Sequence, residues 1–482
     1  KLYGLGDGIK GVLGQGNETT QNNWVIVKGP SGGTTELDNI VQISSNNAWT
    51  YAQNNSTTHQ YCAIGALRSD GQLFLWGENS RGMLGRPNSS NTFYSLPTVP
   101  PNFSVNNAKV GYFHMGGHTT IAFLQGSNRF CYIGHLVRGS MGNGINGDSD
   151  RESFDCINTP DAHLCTPPPP IGCADPSAND LIASANSAVL VINGQPSVTF
   201  WGEASSSAEP GVNVSVSKIL YEYNGVPRGV AASSVGTSGT ENTQMWILTD
   251  LGIWGWGFSA NTVNSQVNGE VGMTQLSVLP AGVTAADINF IRSARGGLAI
   301  VTNTGEVWIK AGTNSACHPA VYGDNTTGNT LNTSWHQVLV AANTPLTGVR
   351  ELSFAGTAAM AITSANRVYV WGNNVYRGNN AASARTNMAA DITANLHADF
   401  GQNMQPKSPE IVQAGSAGAA QFLLGTNGVI YVLGSGQNGA LGLGNTNAVL
   451  AWNKITGIPL VKKIRTNNSF AGTSSAPQYT VA

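Results

Sequence analysis

The stretch "LYGLGDGIKGVLGQG", residues 2–16, carries Gly6-x-Gly8-x-x-Gly11, the letter pattern of a loop that cradles a pyrophosphate. That reading needs a helix behind the glycines, its N-terminus facing the phosphates. Residues 12–24 instead read "VLGQGNETTQNNW", two more glycines and an Asn/Thr cluster with no apolar stripe at helical spacing. Two distant stretches explain the glycines better. In "LFLWGENSRGMLG" (73–85) and "IYVLGSGQNGALGLG" (430–444) the same order recurs: an apolar strand, a Gly, four residues, a second Gly, then x-Leu-Gly. The glycines fall in register as Gly6, Gly11 and Gly14, then Gly77, Gly82 and Gly85, then Gly434, Gly439 and Gly442. A phosphate loop has no reason to recur along a chain, whereas turn glycines that permit positive φ do.

Looser copies of the strand-and-glycine unit lie at "RFCYIGHLVRGSMGNG" (129–144), "SVTFWGE" (197–203), "LGIWGWGFS" (251–259), "GEVWIKAGT" (305–313) and "RVYVWGNNVYRGN" (367–379), which makes eight. From Gly77 the strand-end glycines recur at Gly134, Gly202, Gly257, Gly312, Gly372 and Gly434, a period of roughly 60 residues. Every copy but the first is preceded by a second piece, an apolar segment, a small-residue stretch and another apolar strand, as in "VRELSFAGTAAMAITSANRVYVWG" (349–372). Asp70-Gly71, Thr304-Gly305 and Asn427-Gly428 sit between β-rich runs as hairpin turns. Each unit is thus about four short strands, which cannot bury both faces alone; neighbours must stack, and a ring leaves no exposed end. The expected fold is all-β, a single closed β-propeller over residues 1–482 with four-stranded blades, seven or eight in number, the copies favouring eight. The first copy lacks its leading half, and "LVKKIRTNNSFAGTSSAPQYTVA" (460–482) lacks a trailing one. The N- and C-terminal segments are therefore expected to pair in one composite blade that closes the ring.

The pattern of apolar strand, Asp/Asn-Gly turn, V-Y-x-W-G, four residues and G-x-L-G resembles the repeat of the regulator of chromosome condensation family, most specifically at residues 70–85, 366–379 and 427–444. The resemblance runs over essentially the whole chain and implies a propeller, a scaffold that hosts unrelated functions. That family usually has about seven blades, within the range that propellers adopt. Its repeat histidine survives here only at His118, in "GGHTTIAF", and no exchange residue can be matched position by position.

Charged residues make up 10% of the chain, against about 25% in ordinary domains, and the net charge is −2. The densest basic run is "VKKIR" (461–465), so nucleic acid has no electrostatic footprint. No apolar run reaches the about 18 residues that a membrane-spanning helix needs, so no membrane insertion is expected. The eight histidines fall in different repeats without metalloprotease pairing, and no G-x-S-x-G elbow is present. The chain is expected not to be an enzyme and to hold neither cofactor nor metal. Trp76, Trp201, Trp256 and Trp371, beside the repeat glycines, are read as blade packing.

Residues 145–180 break the register. This insert carries Pro167, Pro168, Pro169 and Pro170, an extended polyproline run, together with Cys156, Cys165 and Cys173. With His163 the cysteines could in principle hold zinc, but C-x6-H-x-C-x7-C is not the spacing of a recognised finger. A local disulfide among the three is the favoured expectation, free thiols the remaining one. Long loops in compact domains tend to be functional, so the insert is the expected partner-contacting element.

Few charges, abundant Asn, Thr, Ser and Gly, and a rigid closed scaffold point to a non-enzymatic structural, adhesion or binding protein displayed on an outer surface. A bacteriophage virion component of the tail-fibre, decoration or head-fibre type is one such protein, with extracellular or virion-surface localisation and a role in host attachment. Its partners would be other structural proteins of the assembly or a cell-surface receptor. The alternative is a secreted protein-binding or inhibitory module. The resemblance implies a third reading, guanine-nucleotide exchange or chromatin binding, for which the chain lacks a basic tail.

Overall fold

The computed structural model describes residues 1–482 apart from 46–49, 54–56, 61, 80, 88–91, 102–108, 116–118, 126–128, 137–148, 159–180, 184–186, 192–197, 203–213, 221–222, 238–239, 258–273, 277, 295–296, 312–318, 329, 331–332, 356–357, 414–417 and 467–478. The described residues form four-stranded antiparallel sheets, each running outward from a first strand to a fourth. Six sheets use four strands consecutive in sequence, and their first strands are Val110–Met115, Leu181–Ala183, Pro227–Thr237, Ile288–Ala294, Val349–Ala355 and Pro406–Gln413. We number these sheets 2 to 7. Sheet 1 begins at Ile40–Ser45 and is interrupted by a separate hairpin, Thr50–Gln53 with Thr57–Gln60, before it resumes at Ala63–Arg68.

The remaining sheet is composite. Tyr3–Gly6 pairs on one side with Gln21–Ile26 and on the other with Tyr479–Val481, which in turn pairs with Arg465–Thr466. The main chain of Tyr3 also exchanges hydrogen bonds with that of Ala482, at 2.9 and 3.0 Å. The expectation of seven or eight like blades is thereby corrected: six sheets are uninterrupted units, one carries an inserted hairpin and one is shared between the two ends of the chain. No ladder runs from one four-stranded sheet to the next among the described residues. Neighbouring sheets are held by side-chain packing and, at their turns, by single main-chain hydrogen bonds such as Gly16 N–H to the carbonyl of Ser95 and Gly444 N–H to that of Asn22.

Both faces of a middle strand are covered by the flanking sheets, and this is why Gly297–Thr302, Ala358–Thr363 and Ala419–Gly425 are buried at every position. Their sequences read as continuous small and apolar runs instead of alternating ones. The core is accordingly divided among the gaps between sheets. Val307, Ile309 and Tyr322 of sheet 5 pack with Ala359, Ala361 and Trp371 of sheet 6, and Met360 and Val370 of sheet 6 with Leu423 and Tyr431 of sheet 7. The composite sheet packs on both neighbours, through Leu2, Val12 and Leu13 against Ile64 and Trp76 of sheet 1, and through Ala482 against Phe422 and Val432 of sheet 7. First strands of successive sheets lie side by side. In one gap Gln421, fully buried, exchanges two hydrogen bonds with the main chain of Tyr376, at 2.8 and 3.1 Å.

Candidate binding surface

The two rims of the assembly are built differently. On one, the chain leaves the third strand through the repeat turn. All nine glycines singled out by register have positive φ, from +65° at Gly14 to +110° at Gly434. In the turns Ile9–Gly11 and Gln437–Gly439 the residue before the last glycine, Lys10 or Asn438, is left-handed as well. Each turn lies on the outer strand of the next sheet. A Cβ on Gly11 would stand 2.4 Å from the Cα of Ser95, one on Gly82 2.9 Å from the carbonyl oxygen of Arg151, and one on Gly439 2.8 Å from that of Gln21. The tryptophans close the same seam: Trp76 donates from Nε1 to the carbonyl of Val12 at 2.7 Å, and Trp371 to that of Val321 at 2.8 Å. Gly11, Gly82 and Gly439 therefore sit at intersheet seams.

Within the insert the structure describes residues 149–158 only, so Pro167, Pro168, Pro169, Pro170, Cys165 and Cys173 lie outside the described residues, as does His118. Cys156 is bonded to Cys131, its direct cross-strand partner in sheet 2. The disulfide is thus a staple between the third and fourth strands and not a link to Cys165 or Cys173. The sequence treated Cys131 as scattered, since a cross-strand pairing is set by register and register is invisible before the sheet is known. Cys62 is a buried thiol, and burial pushes its pKa well up.

On the other rim, the first strands begin and the second strands turn into the third. A bulge recurs at the second residue of the first strand: Val41, Gly111, Arg228, Asn289, Arg350 and Lys407 each stand unpaired in the ladder. A bulge of this kind turns one side chain out of the sheet. Arg228 uses its turn to donate to the carbonyls of Thr249 in its own sheet and of Ile288 and Ala285 ahead of it. Arg350 reaches Thr363 in its own sheet and Pro406 in the next. Lys407 reaches the carbonyl of Lys462 in the composite sheet at 3.1 Å. Sequence reading missed this row, though at three of the six strand starts its signal was present as a cation after Pro or Val, at Arg228, Arg350 and Lys407.

The exposed large apolar side chains among the described residues are Val41, Val226, Leu251, Val278 and Leu460. Val41 is a bulge residue, Val226 immediately precedes a first strand, Leu460 lies in the segment leading to Arg465–Thr466 against the hairpin at Gly428, and Leu251 caps a hairpin; Val278 lies in the connector leading back to sheet 5. Four of the five thus belong to the bulge rim. Val226 and Leu251 are neighbours there, since the main-chain N–H of Val226 donates to Asp250 Oδ1 at 2.6 Å.

Histidine–carboxylate pairs occur among the described residues. His336 Nδ1 lies 2.5 Å from Asp324 and its ring stacks on Tyr322 at 3.8 Å. Burial works against the Asp324 carboxylate, but hydrogen bonds from His336 and Thr326 hold its pKa below the usual value. His135 makes a similar contact with Asp150 at 2.8 Å, where Arg81 approaches to 3.8 Å. These pairs sit in different sheets. Among the described residues no three metal-ligating side chains gather, and no helix is long and apolar enough to cross a membrane.

Residues 70–123 match the family model of the regulator of chromosome condensation (RCC1) repeat. Over its whole length the chain is similar in fold to human WBSCR16, at 12% identity with 98% of that chain covered and a TM-score of 0.54. It is similar also to Prp20p from Saccharomyces cerevisiae, at 13% identity with all of this chain and 90% of that one covered and a TM-score of 0.53, a protein described with its binding to Gsp1p and histones. Yeast RCC1 (Prp20) bound to Kap60 gives 12% identity, coverage of 100% and 87%, and a TM-score of 0.52.

Proposed function

We propose that this chain, a β-propeller of regulator of chromosome condensation-like repeats, is a non-enzymatic protein-binding scaffold displayed on an outer surface, with the bulge rim as its contact face. The four-stranded sheets act as blades of one ring spanning residues 1–482, which the composite sheet closes. The observation that carries the reading is that four of the five exposed large apolar side chains among the described residues lie on the bulge rim, the remaining large apolar groups described being buried or half-buried. A structured surface of this kind suits a protein partner. Display outside a reducing compartment is supported by the Cys131–Cys156 disulfide, since such bonds persist where thiols are not kept reduced. The low charge and Asn/Thr/Ser-rich composition fit a virion or extracellular component whose neighbours are structural proteins or a receptor.

Fractionation of native source material tests this. The chain is expected to sediment with large assemblies at fixed stoichiometry and to cross-link there to another protein. Recovery as a soluble monomer bound to one enzyme would replace display with the secreted inhibitory alternative. Acceleration of nucleotide release from a GTPase would replace both.

A further inference from the structure

The bulge row changes character around the ring. At sheets 1, 2 and 5 its residues are Val41, Gly111 and Asn289; sheet 4 carries a lone cation, Arg228, and at the adjacent sheets 6 and 7 they are Arg350 and Lys407. In the composite sheet Val461 N–H donates to the carbonyl of Gly428, as Val349 N–H does to Gly305 two repeats earlier, so Lys462 takes the place corresponding to Arg350. Three successive sheets therefore carry a cation at the same position, and Leu460, 73% exposed, lies beside the third against the hairpin at Gly428.

The charges over this arc are unequally compensated. Arg367 is paired with Asp391, Lys454 with Asp399, and Arg465 with the carboxylate of Glu410 at 3.2 Å, which also accepts from Thr466. Arg350 and Lys407 instead give their hydrogens to neutral acceptors, the carbonyls of Thr363, Pro406 and Lys462 and the amide of Asn366. A carbonyl orients a cation without cancelling its charge. In a chain whose net charge is −2, this arc is a local positive field with an exposed leucine at one end.

We infer that the arc Arg350–Lys407–Lys462 with Leu460 docks an acidic, extended segment of a partner protein that carries an apolar side chain among its carboxylates. The inference rests on the protein-binding reading above and assigns that partner's chemistry. Packed sheets stand about 10 Å apart, so three successive cations span at most about 20 Å. An extended segment of about six residues covers that distance. A nucleic acid is the poorer fit. Its affinity grows with the number of phosphates neutralised, and three cations around an aliphatic side chain offer few such contacts and no aromatic platform for bases.

The full chain is titrated into a short fluorescein-labelled peptide of glutamate and leucine, with anisotropy followed at low and at physiological salt. Binding is expected at low salt and is expected to weaken as salt rises. The Lys407→Gln/Lys462→Gln variant should weaken it about tenfold. Leu460→Ser should weaken it severalfold at both salt concentrations, and Lys10→Gln, on the opposite rim, should leave it unchanged. Should the double variant melt early, Lys462→Gln and Leu460→Ser, both at exposed positions, carry the test alone. Absence of peptide binding at low salt, indifference to these substitutions, or equal binding of a thymidine oligonucleotide of matched charge overturns the inference. If the native chain still cross-links to a protein in its assembly while the peptide fails, only this inference falls and the scaffold reading stands.

Discussion

Gly14 stands at φ +65°, and a methyl group there would approach Val27 Cγ1 to 2.7 Å and Trp76 Nε1 to 3.3 Å. Gly33 has nearly the same backbone, φ +63°, with nothing within 4 Å of the added carbon. The two positions separate backbone strain from steric conflict. Gly33→Ala should cost about 1 kcal/mol, the left-handed penalty alone. Gly14→Ala should cost about 3 kcal/mol, because the seam must also be forced open, and comparing thermal midpoints of the two variants checks this. His114 offers a different single-residue test. Its Nδ1 is buried without a hydrogen-bond partner, and burial pushes the ring down to about 4. Unfolded, the same ring titrates near 6.5, so below that pH the unfolded chain takes up a proton that the folded chain refuses. The stability contribution is whole above pH 6.5 and is lost as pH falls toward 4, by about 3 kcal/mol in all. His114→Gln should flatten the pH dependence of unfolding within that window. A variant that keeps the wild-type slope would show that the acid sensitivity lies elsewhere.

At the scale of the element, the informative case is the third and fourth strands of sheet 2, where Cys131 and Cys156 face each other across the ladder and close a separation of 25 residues. A bond over such a loop contributes about 2–4 kcal/mol. Reductant should therefore lower the unfolding midpoint of the native chain and leave a Cys131→Ala/Cys156→Ala variant unmoved; an equal response from both would mean that the staple carries no stability. Cys62, buried in its seam, should stay unmodified by an alkylating reagent until the fold opens. These elements also show where sequence reading stops. The glycines at 6, 11 and 14 were legible because conformational demand leaves a residue-type signature that repeats. The turn at Asn427-Gly428 was legible for the same reason, and Gly428 has φ +79°. Register leaves no such signature: Cys131 opposite Cys156 depends on strand alignment, and the places of Arg350 and Lys407 depend on a bulge that shifts alignment by one. The interrupted sheet 1 was likewise hidden, since the inserted hairpin at Thr50–Gln53 and Thr57–Gln60 has the composition of its flanks.

For the whole molecule, the decisive place is the composite sheet, because there the two ends of the chain meet. Residues 463–482 supply Arg465–Thr466 and Tyr479–Val481, the two strands that the N-terminal pair Tyr3–Gly6 and Gln21–Ile26 lacks. Removing them takes away the ladder of Gly4, Leu5 and Gly6 with Val481, Thr480 and Tyr479, the Tyr3–Ala482 main-chain bonds, and the Glu410 contacts of Arg465 and Thr466. It also uncovers an unpaired strand edge beside Leu2 and Leu5, which are now buried. An isolated pair of strands is marginal in water, so Tyr3–Gly6 and Gln21–Ile26 should detach from sheet 7 once their partners are gone. The deleted chain is therefore expected to have a larger radius in solution scattering, early proteolytic cleavage near residues 1–30, and a tendency to associate through the exposed edge. A synthetic peptide of residues 460–482 added in trans should restore compactness and protease resistance, since it returns the missing strands without the covalent link. If the deletion instead leaves radius, cleavage pattern and melting unchanged, the end of the chain does not hold the ring together. The closure would then rest on the apolar seam of Leu2, Val12 and Leu13 against Ile64 and Trp76, and substitutions in that seam, not deletions at the terminus, would open the molecule.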